Sequence, residues 1–469
     1  MADAGEAQCK WVRQEISDDA LAFIYEFVPV ELWMQHRFVN RQFSRVIASI
    51  VHRRRVTVPL NHLSSVLRVF RDLRRLCIHG VQPSNVKLLS ELLPRTLVRL
   101  DFRGNKIGSE GVRILSAVPH WGALFHLNLS HNRLGADGAR ALRDWLPQCG
   151  ALSVLHLAGN NLLPQGAQAL SPVLPQCRSL SELNISHNSL LAEGAHALGA
   201  ALPKCRAMAA LDLSRNEIGA EGVRALSAVF VHCEALAKLD LSYNNLLADG
   251  ARVLSTVLPQ CVSLSLLDLS YNTLCAPGAH ALSAVLPQCG FLVELDLSRN
   301  EIGAAGAQAL SAVLPRCALC TLNLSYNRLG ADPVRVLSAV LPYCESLDKL
   351  DLSYNEIGAE GVRALSAVLP RCRALTKLFL GGLPCGGKRI SSLSFCLALA
   401  LSLHPPHPSA FYSSLCVCVC VCVCAFSCLV SRRQLQVVCR TQSWGCRCAC
   451  IECRAASVWV AFFPGSFIQ

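Results

Sequence analysis

An asparagine returns through the middle of this chain at Asn105, Asn132, Asn160, Asn188, Asn216, Asn244, Asn272, Asn300, Asn327 and Asn355, in steps of 28 residues apart from two of 27. A cysteine follows 17 residues behind it nine times, from Cys149 to Cys372. No other feature constrains the fold as much. A unit repeated in register must make the same short piece of structure each time and stack it on the last. One such unit cannot bury its own apolar face, so each needs a neighbour on both sides. The 469 residues are therefore expected to form a quasi-one-dimensional array in their middle part, although the length alone would allow several unrelated domains.

The unit reads roughly C-x-x-L-x-x-L-D-L-S-x-N-x-I/L-G-A-x-G-A-x-A-L-S-A-V-L-P-x-C. Leu239 and Leu241 alternate with Asp240 and Ser242, a period of two that predicts a short strand with leucines inward and Asp and Ser on the other face. Asn244 falls where the chain must turn away, and its amide is expected to satisfy backbone groups that have no ladder partner. Stacked units would then line these amides up, one per turn. Gly250 is expected at the turn into the next segment, where a side chain would obstruct successive coils. From Gly250 to Leu258 the positions Ala251, Leu254, Val257 and Leu258 form a helical stripe, which Pro259 is expected to stop. Pro stands at eight of the nine repeat ends before the Cys.

A degenerate first unit is visible earlier, with Leu73, Leu76 and Ile78 on a strand and Val86 to Leu93 on a helix. At the far end Leu375, Leu378 and Leu380 begin one more strand, but Leu383 occupies the Asn position. Over about residues 97–380 the pattern resembles the ribonuclease-inhibitor-like class of leucine-rich repeats. That resemblance implies an α/β fold, a leucine-rich-repeat solenoid. It would be a right-handed β-α superhelix of horseshoe form, strands inside and helices outside, preceded by a small N-terminal helical segment. The expected organisation is 1–60 helical, 61–96 degenerate first repeat and cap, 97–382 repeats, and 383–469 a low-complexity Cys-rich tail.

The formal charge of +12 suggests nucleic acid only until it is divided along the chain. Residues 1–80 hold 12 basic and 8 acidic side chains, residues 81–375 hold 24 and 23, and residues 376–469 hold 8 and 1. A groove tracking phosphates needs its positive charge on the repeats, which are almost neutral, so no nucleic-acid partner is expected. Met1 to Val12 lacks the apolar core of a secretory signal. Reduced cysteines and a cytoplasmic or nuclear location are therefore expected.

Residues Ile16 to Ile47 do not carry the repeat. Apolar spacing at Leu21, Ile24, Phe27 and Val28, then Leu32, Val39 and Phe43, predicts two or three short amphipathic helices. The order I-S-D-D-A-L-A-F-I-Y-E-F-V-P-V-E-L-W-M-Q-H-R-F-V-N-R-Q-F resembles an F-box, through Ile16, Asp18, Leu21, Ile24, Phe27, Val28, Pro29, Glu31, Val39, Arg41 and Phe43. It departs at Ser17, where the family usually has Pro, and at the bulkier Leu32-Trp33-Met34. F-boxes dock onto the adaptor of cullin-type ubiquitin ligases, so the resemblance implies adaptor binding by Ile16, Leu21, Ile24, Phe27, Val28, Pro29, Val39 and Phe43. The plainer alternative is a cap for the hydrophobic end of the array.

No catalytic arrangement stands out. His131, His156 and His187 have no nucleophile at a recurring offset, and no phosphate-cradling G-x-x-x-x-G-K-S/T is present. Each repeat Cys stands alone, without metal spacing, and is expected to be core filler; no cofactor is expected. The strand face offers more: Asp212, Asp240, Asp268 and Asp296 on four consecutive strands, with Asp101 and Asp351 further out and Asn128, Asn184 and Asn323 in equivalent places. Like charges at strand spacing of about 4.8 Å repel, and Ser214, Ser242, Ser270 and Ser298 are placed to donate to them. Beside them run Arg215, Tyr243, Tyr271, Arg299, Tyr326 and Tyr354, expected to be exposed contact residues for a protein partner on the concave face. A basic segment is the natural match if the Asp row itself binds. With the F-box resemblance, the array is expected to be monomeric and non-enzymatic, the substrate-recognition subunit of a cullin-type ubiquitin ligase. The rival readings are a generic scaffold or sensor, and a GTPase-activating protein, whose usual acidic tail is absent here.

After Gly382 the text changes. Cys416 to Cys424 alternates Val and Cys, as a translated TG dinucleotide repeat would, so 383–469 is expected to be disordered or not genuine coding sequence. Its apolar runs of 14 and 16 residues are short for a membrane span of about 20, and no membrane partner is expected. Cys446-x-Cys448-x-Cys450-x-x-Cys453 could bind metal only in isolation.

Overall fold

The structure, a computed structural model, describes residues 56–59, 73–118, 121–382 and three short strands at 384–385, 388–389 and 394–396. All of these lie within one unit, Met1–Val419. The F-box-like stretch Ile16 to Phe43, the Val/Cys alternation and the Cys446–Cys453 cluster lie outside the described residues.

Each unit that carries the asparagine builds a strand of three residues and then a helix. The strand Lys238–Asp240 pairs in parallel with Ala210–Asp212 on one side and Leu266–Asp268 on the other, in a register that sets Leu211, Leu239 and Leu267 side by side. Those leucines are at most 2% exposed. Lys238 and Asp240, on the opposite pleat, are not buried. The sheet is open and takes its strands in sequence order. Twelve parallel strands, from Arg75–His79 to Lys377–Phe379, alternate with eleven α-helices, from Val86–Leu92 to Gly358–Val368. Fully burying one Leu stabilises by about 1.5–3 kcal/mol, and each unit contributes several, among them Leu239, Leu241, Leu246 and Leu254.

The asparagine side chains tie successive coils together. Asn244 Nδ2 donates to its own unit at Leu241 O (3.0 Å) and to the preceding unit at Leu213 O (2.9 Å). Its Oδ1 accepts from the preceding unit's Asn216 N–H (3.0 Å) and Ile218 N–H (3.3 Å). The backbone oxygen of Asn244 takes Gly219 N–H at 2.9 Å. The helix Gly219–Phe230 has no capping side chain of its own. Two amides at the entry to that helix, Ile218 and Gly219, are therefore satisfied by the next unit's asparagine, which solves the helix-end problem between coils.

Several expectations need correction. Gly250 is not in a turn: the helix starts three residues earlier, Leu247–Val257. A Cβ on Gly250 would stand 2.7 Å from Leu246 Cβ and 3.8 Å from Ala220 Cα, so the main obstacle is the side chain four residues back. The neighbouring coil adds more at Gly306, where a Cβ would strike Ile302 Cγ2 and also stand 2.9 Å from Ala279 Cβ. Pro259 does stop the α-helix, which ends at Val257, and the chain then tightens into a 3₁₀ turn, Leu258–Gln260, with Pro at its start. The one repeat without Pro at this place, Phe230-Val231-His232-Cys233, has no 3₁₀ turn, and its helix runs to Phe230.

Both ends of the array also differ from expectation. Val56–Pro59, inside the segment expected to be helical, is a strand that pairs in parallel with Arg75–His79. At the other end the sheet does not stop at 382, because Ser394–Cys396 pairs antiparallel with Lys377–Phe379. An edge strand left open exposes unpaired backbone, and residues from beyond the repeats cover part of it.

Candidate functional site: the strand face

Period-two alternation puts one row of side chains, the aspartates, on the strand face. Asp212, Asp240, Asp268 and Asp296 lie directly opposite one another across three strand pairs. Each accepts the backbone N–H of the serine two residues on, at 2.8–2.9 Å. The row is capped at both ends: Asn184 Nδ2 donates to Asp212 Oδ2 (2.5 Å) and Asn323 Nδ2 to Asp296 Oδ2 (2.7 Å). Asp240 and Asp268, in the centre, have no such amide neighbour and face like charges on both sides. Burial first, then Asp240 and Asp296, push the Asp268 carboxyl up to about 7. Burial raises Asp240 too, against the hydrogen bonds from Ser242. Asp351 stands apart, beyond Asn323. The outlying Asp101 is buried and accepts from Asn128 at 3.3 Å.

The second row is a continuous stack. Arg215 lies 3.7 Å over the Tyr243 ring, which stacks on Tyr271 at 3.6 Å with 17° between planes. Arg299 sits between Tyr271 (4.6 Å) and Tyr326 (3.5 Å), and Tyr326 stacks on Tyr354 at 4.1 Å and 12°. This corrects the expectation of freely exposed contact residues: only Arg215 is exposed, while the other five are half-buried with ring and guanidinium faces against one another. All six have left-handed backbone, φ 56–57°. That conformation costs an L-residue roughly 1–2 kcal/mol, which stacking and cation–π contacts of about 0.5–1.5 kcal/mol each offset. Glycine holds the same place at Gly104, Gly159 and Gly382. A Cβ on Gly382 would strike the Tyr354 ring, so the stack closes over a residue with no side chain.

A third row escaped the sequence reading. Lys238, Glu294 and Lys349 precede the central leucine of their strands and share the pleat of the aspartates. The alternation that exposes Asp240 exposes Lys238 as well, so the signal was present. Glu294 and Lys349 join Asp268, Asp296 and Asp351 around a hollow of about 230 Å³. Toward the N-terminal end the same face carries His156, whose Nε2 is 2.9 Å from Glu182 Oε1, and His126, edge-on to His156 at 5.3 Å. Burial, then the neighbouring His156 and Arg99, drives His126 down to about 4.

The cysteine ladder lies away from this face. Cys261 Sγ donates to Val257 O at 3.5 Å, and the same bond four residues back recurs at Cys289, Cys317, Cys344 and Cys372. Burial pushes Cys149 up to about 12 and most of the others to about 11, which leaves them as thiols of low reactivity. Among the described residues no group of His, Cys, Asp and Glu has the geometry to hold a metal ion, and no helix is long and apolar enough to cross a membrane.

Six segments, residues 94–116, 124–142, 176–199, 204–227, 288–311 and 343–366, match the family model described as Leucine Rich repeat. No curated protein matches the chain. Among solved structures it is similar to a chain in the crystal structure of the Rad7 and Elc1 complex in yeast. The two share 18% identity over 82% of this chain and 93% of that one, with a TM-score of 0.48. It is also similar to the leucine-rich repeat-containing protein LegL7 from Legionella pneumophila, at 20% identity over 66% of this chain and 93% of that one, with a TM-score of 0.41. A strand, an asparagine-bearing turn and a helix in each unit, stacked into one open parallel sheet, make the described part of this chain a leucine-rich-repeat solenoid.

Proposed function

We propose that this solenoid holds a partner protein against its strand face and has no catalytic role of its own. One observation carries the reading. The leucines and asparagines are the same in nearly every unit, while the row beside the asparagines changes from Gly and His to the Arg215–Tyr354 stack. Invariant positions build the array, and a row that differs between units gives one stretch of the face its own chemistry. Half-buried Tyr and Arg combine apolar area with hydrogen bonding, the mix that dominates protein interfaces.

The finer reading is a substrate-recognition subunit of a cullin-type ubiquitin ligase, of the ribonuclease-inhibitor-like repeat class, acting in the cytoplasm or nucleus. Its support is the F-box-like order of Ile16 to Phe43 followed by repeats of 28 residues. Affinity purification of the full chain from cells tests both levels. Tyr243→Ala with Tyr271→Ala should lose the partner, and Leu21→Asp with Phe27→Asp should lose the ligase adaptor but keep the partner. An unchanged set of proteins from the tyrosine variant would remove the strand-face reading. Absence of the adaptor from the wild-type set would leave a scaffold whose N-terminal segment only caps the array.

A further inference from the structure

We propose that Arg299 is an anchor for a carboxylate of the bound protein, an acidic side chain or a chain terminus. This rests on the protein-binding reading and names the chemistry of one position within it. Most arginines on the helices already have a partner: Arg252 meets Asp249 at 2.6 Å and Arg224 meets Glu221 at 2.5 Å. Near the stack, Arg328 reaches Glu301 at 3.8 Å. Arg299 differs. Among the described residues no carboxylate lies within ion-pair distance of it.

Its guanidinium carbon lies 4.6 Å from the centre of the Tyr271 ring and 3.5 Å from that of Tyr326, so two rings hold the group before any ligand arrives. Of the guanidinium's five N–H donors the Tyr326 hydroxyl engages at most one or two, which leaves donors for the fork that matches a carboxylate. That group lines a hollow of about 450 Å³ with Tyr354, Arg328 and Glu301. Arg215 is stacked on one ring only and is more exposed, so it is less fixed.

Charge selects the ligand. Arg299 and Arg328 are balanced in this hollow by Glu301 and Glu356. The two glutamates repel any anion, a phosphate dianion about twice as strongly as a carboxylate, so the hollow favours the singly charged ligand.

The test is saturation-transfer NMR on the full chain with N-acetyl-Gly-Glu-Gly-amide as probe, and glutarate and inorganic phosphate as competitors. Saturable binding on the order of 1 mM is expected for a lone side chain. Arg299→Gln should weaken it at least tenfold, and Arg299→Lys at least fivefold, since the ammonium keeps the charge without the fork. Arg252→Gln should leave it unchanged. Equal binding by wild type and Arg299→Gln, or no saturable binding by wild type, overturns the proposal. Competition by phosphate at lower concentration than glutarate overturns the carboxylate assignment. If Arg299→Gln still captures the partner that the tyrosine variant loses, the anchor is wrong and the protein-binding reading stands.

Discussion

Replacing Asn244 by Ala isolates what one rung of the asparagine ladder contributes. Five hydrogen bonds to buried backbone are removed, but they are not equivalent: Ser242 O, the weakest partner at 3.2 Å, keeps Arg215 N–H at 2.9 Å. Leu213 O and Leu241 O each keep a second amide donor, Asn216 Nδ2 at 3.0 Å and Asn272 Nδ2 at 2.9 Å. The N–H groups of Asn216 and Ile218 have only Asn244 Oδ1, at 3.0 and 3.3 Å. A buried group left without a partner costs about 1–3 kcal/mol, and the longer bond belongs at the low end. The expected loss is therefore about 2–4 kcal/mol, carried by the two amides and not by the carbonyls. Urea unfolding of the full chain measures the total. Repeat arrays can lose cooperativity, so amide exchange by mass spectrometry on peptides spanning 213–219 must locate it. Faster exchange is expected there, with little change around Leu241. A loss below about 0.5 kcal/mol, or exchange that rises evenly along the array, would refute the reasoning.

Asp268→Asn should stabilise the protein near pH 8 by roughly 1–4 kcal/mol, with the advantage fading toward pH 4. The folded carboxyl titrates near 7 against an ordinary 3.8, so across that window the folded chain alone holds the proton and wild-type stability falls as pH rises. Asn already makes the same bond to the serine two residues on at Asn184 and Asn323, so the variant keeps it. A wild-type stability that rises with pH between 4 and 7, by urea titration, would contradict this. Gly306→Ala should cost about 1–3 kcal/mol, because its Cβ meets Ile302 and Ala279 at once; thermal unfolding checks it. Val231→Pro should change stability by less than about 1 kcal/mol, since φ −61° and Pro at this place in eight other units favour it while loss of the Val231 N–H bond to Val229 O opposes it; a larger fall in unfolding free energy would show that the sixth repeat needs its longer helix.

The repeat period, the inward leucines and the position of the asparagine turn were all legible in the residues, because each follows from local geometry: period two for a strand, 3.6 for a helix, an amide where the ladder stops. Local geometry is also enough for the face that carries both Asp240 and Lys238. What residue order could not give were relations between residues 28 apart. The asparagine cap serves the helix of the preceding unit, so no motif within one unit announces it. The separate fates of chemically identical aspartates depend on which strand neighbour is Asn and which is Asp. The Arg215–Tyr354 row reads in sequence as exposed contacts and folds as a stack, because left-handed backbone at the same position of adjacent coils turns the side chains onto one another. Residue order alone defines what a unit is. The stacking of units, which sets distances across the array that no local pattern encodes, decided which side chains are paired, which are strained, and that Arg299 lies between two tyrosine rings with no carboxylate of the described residues within ion-pair distance.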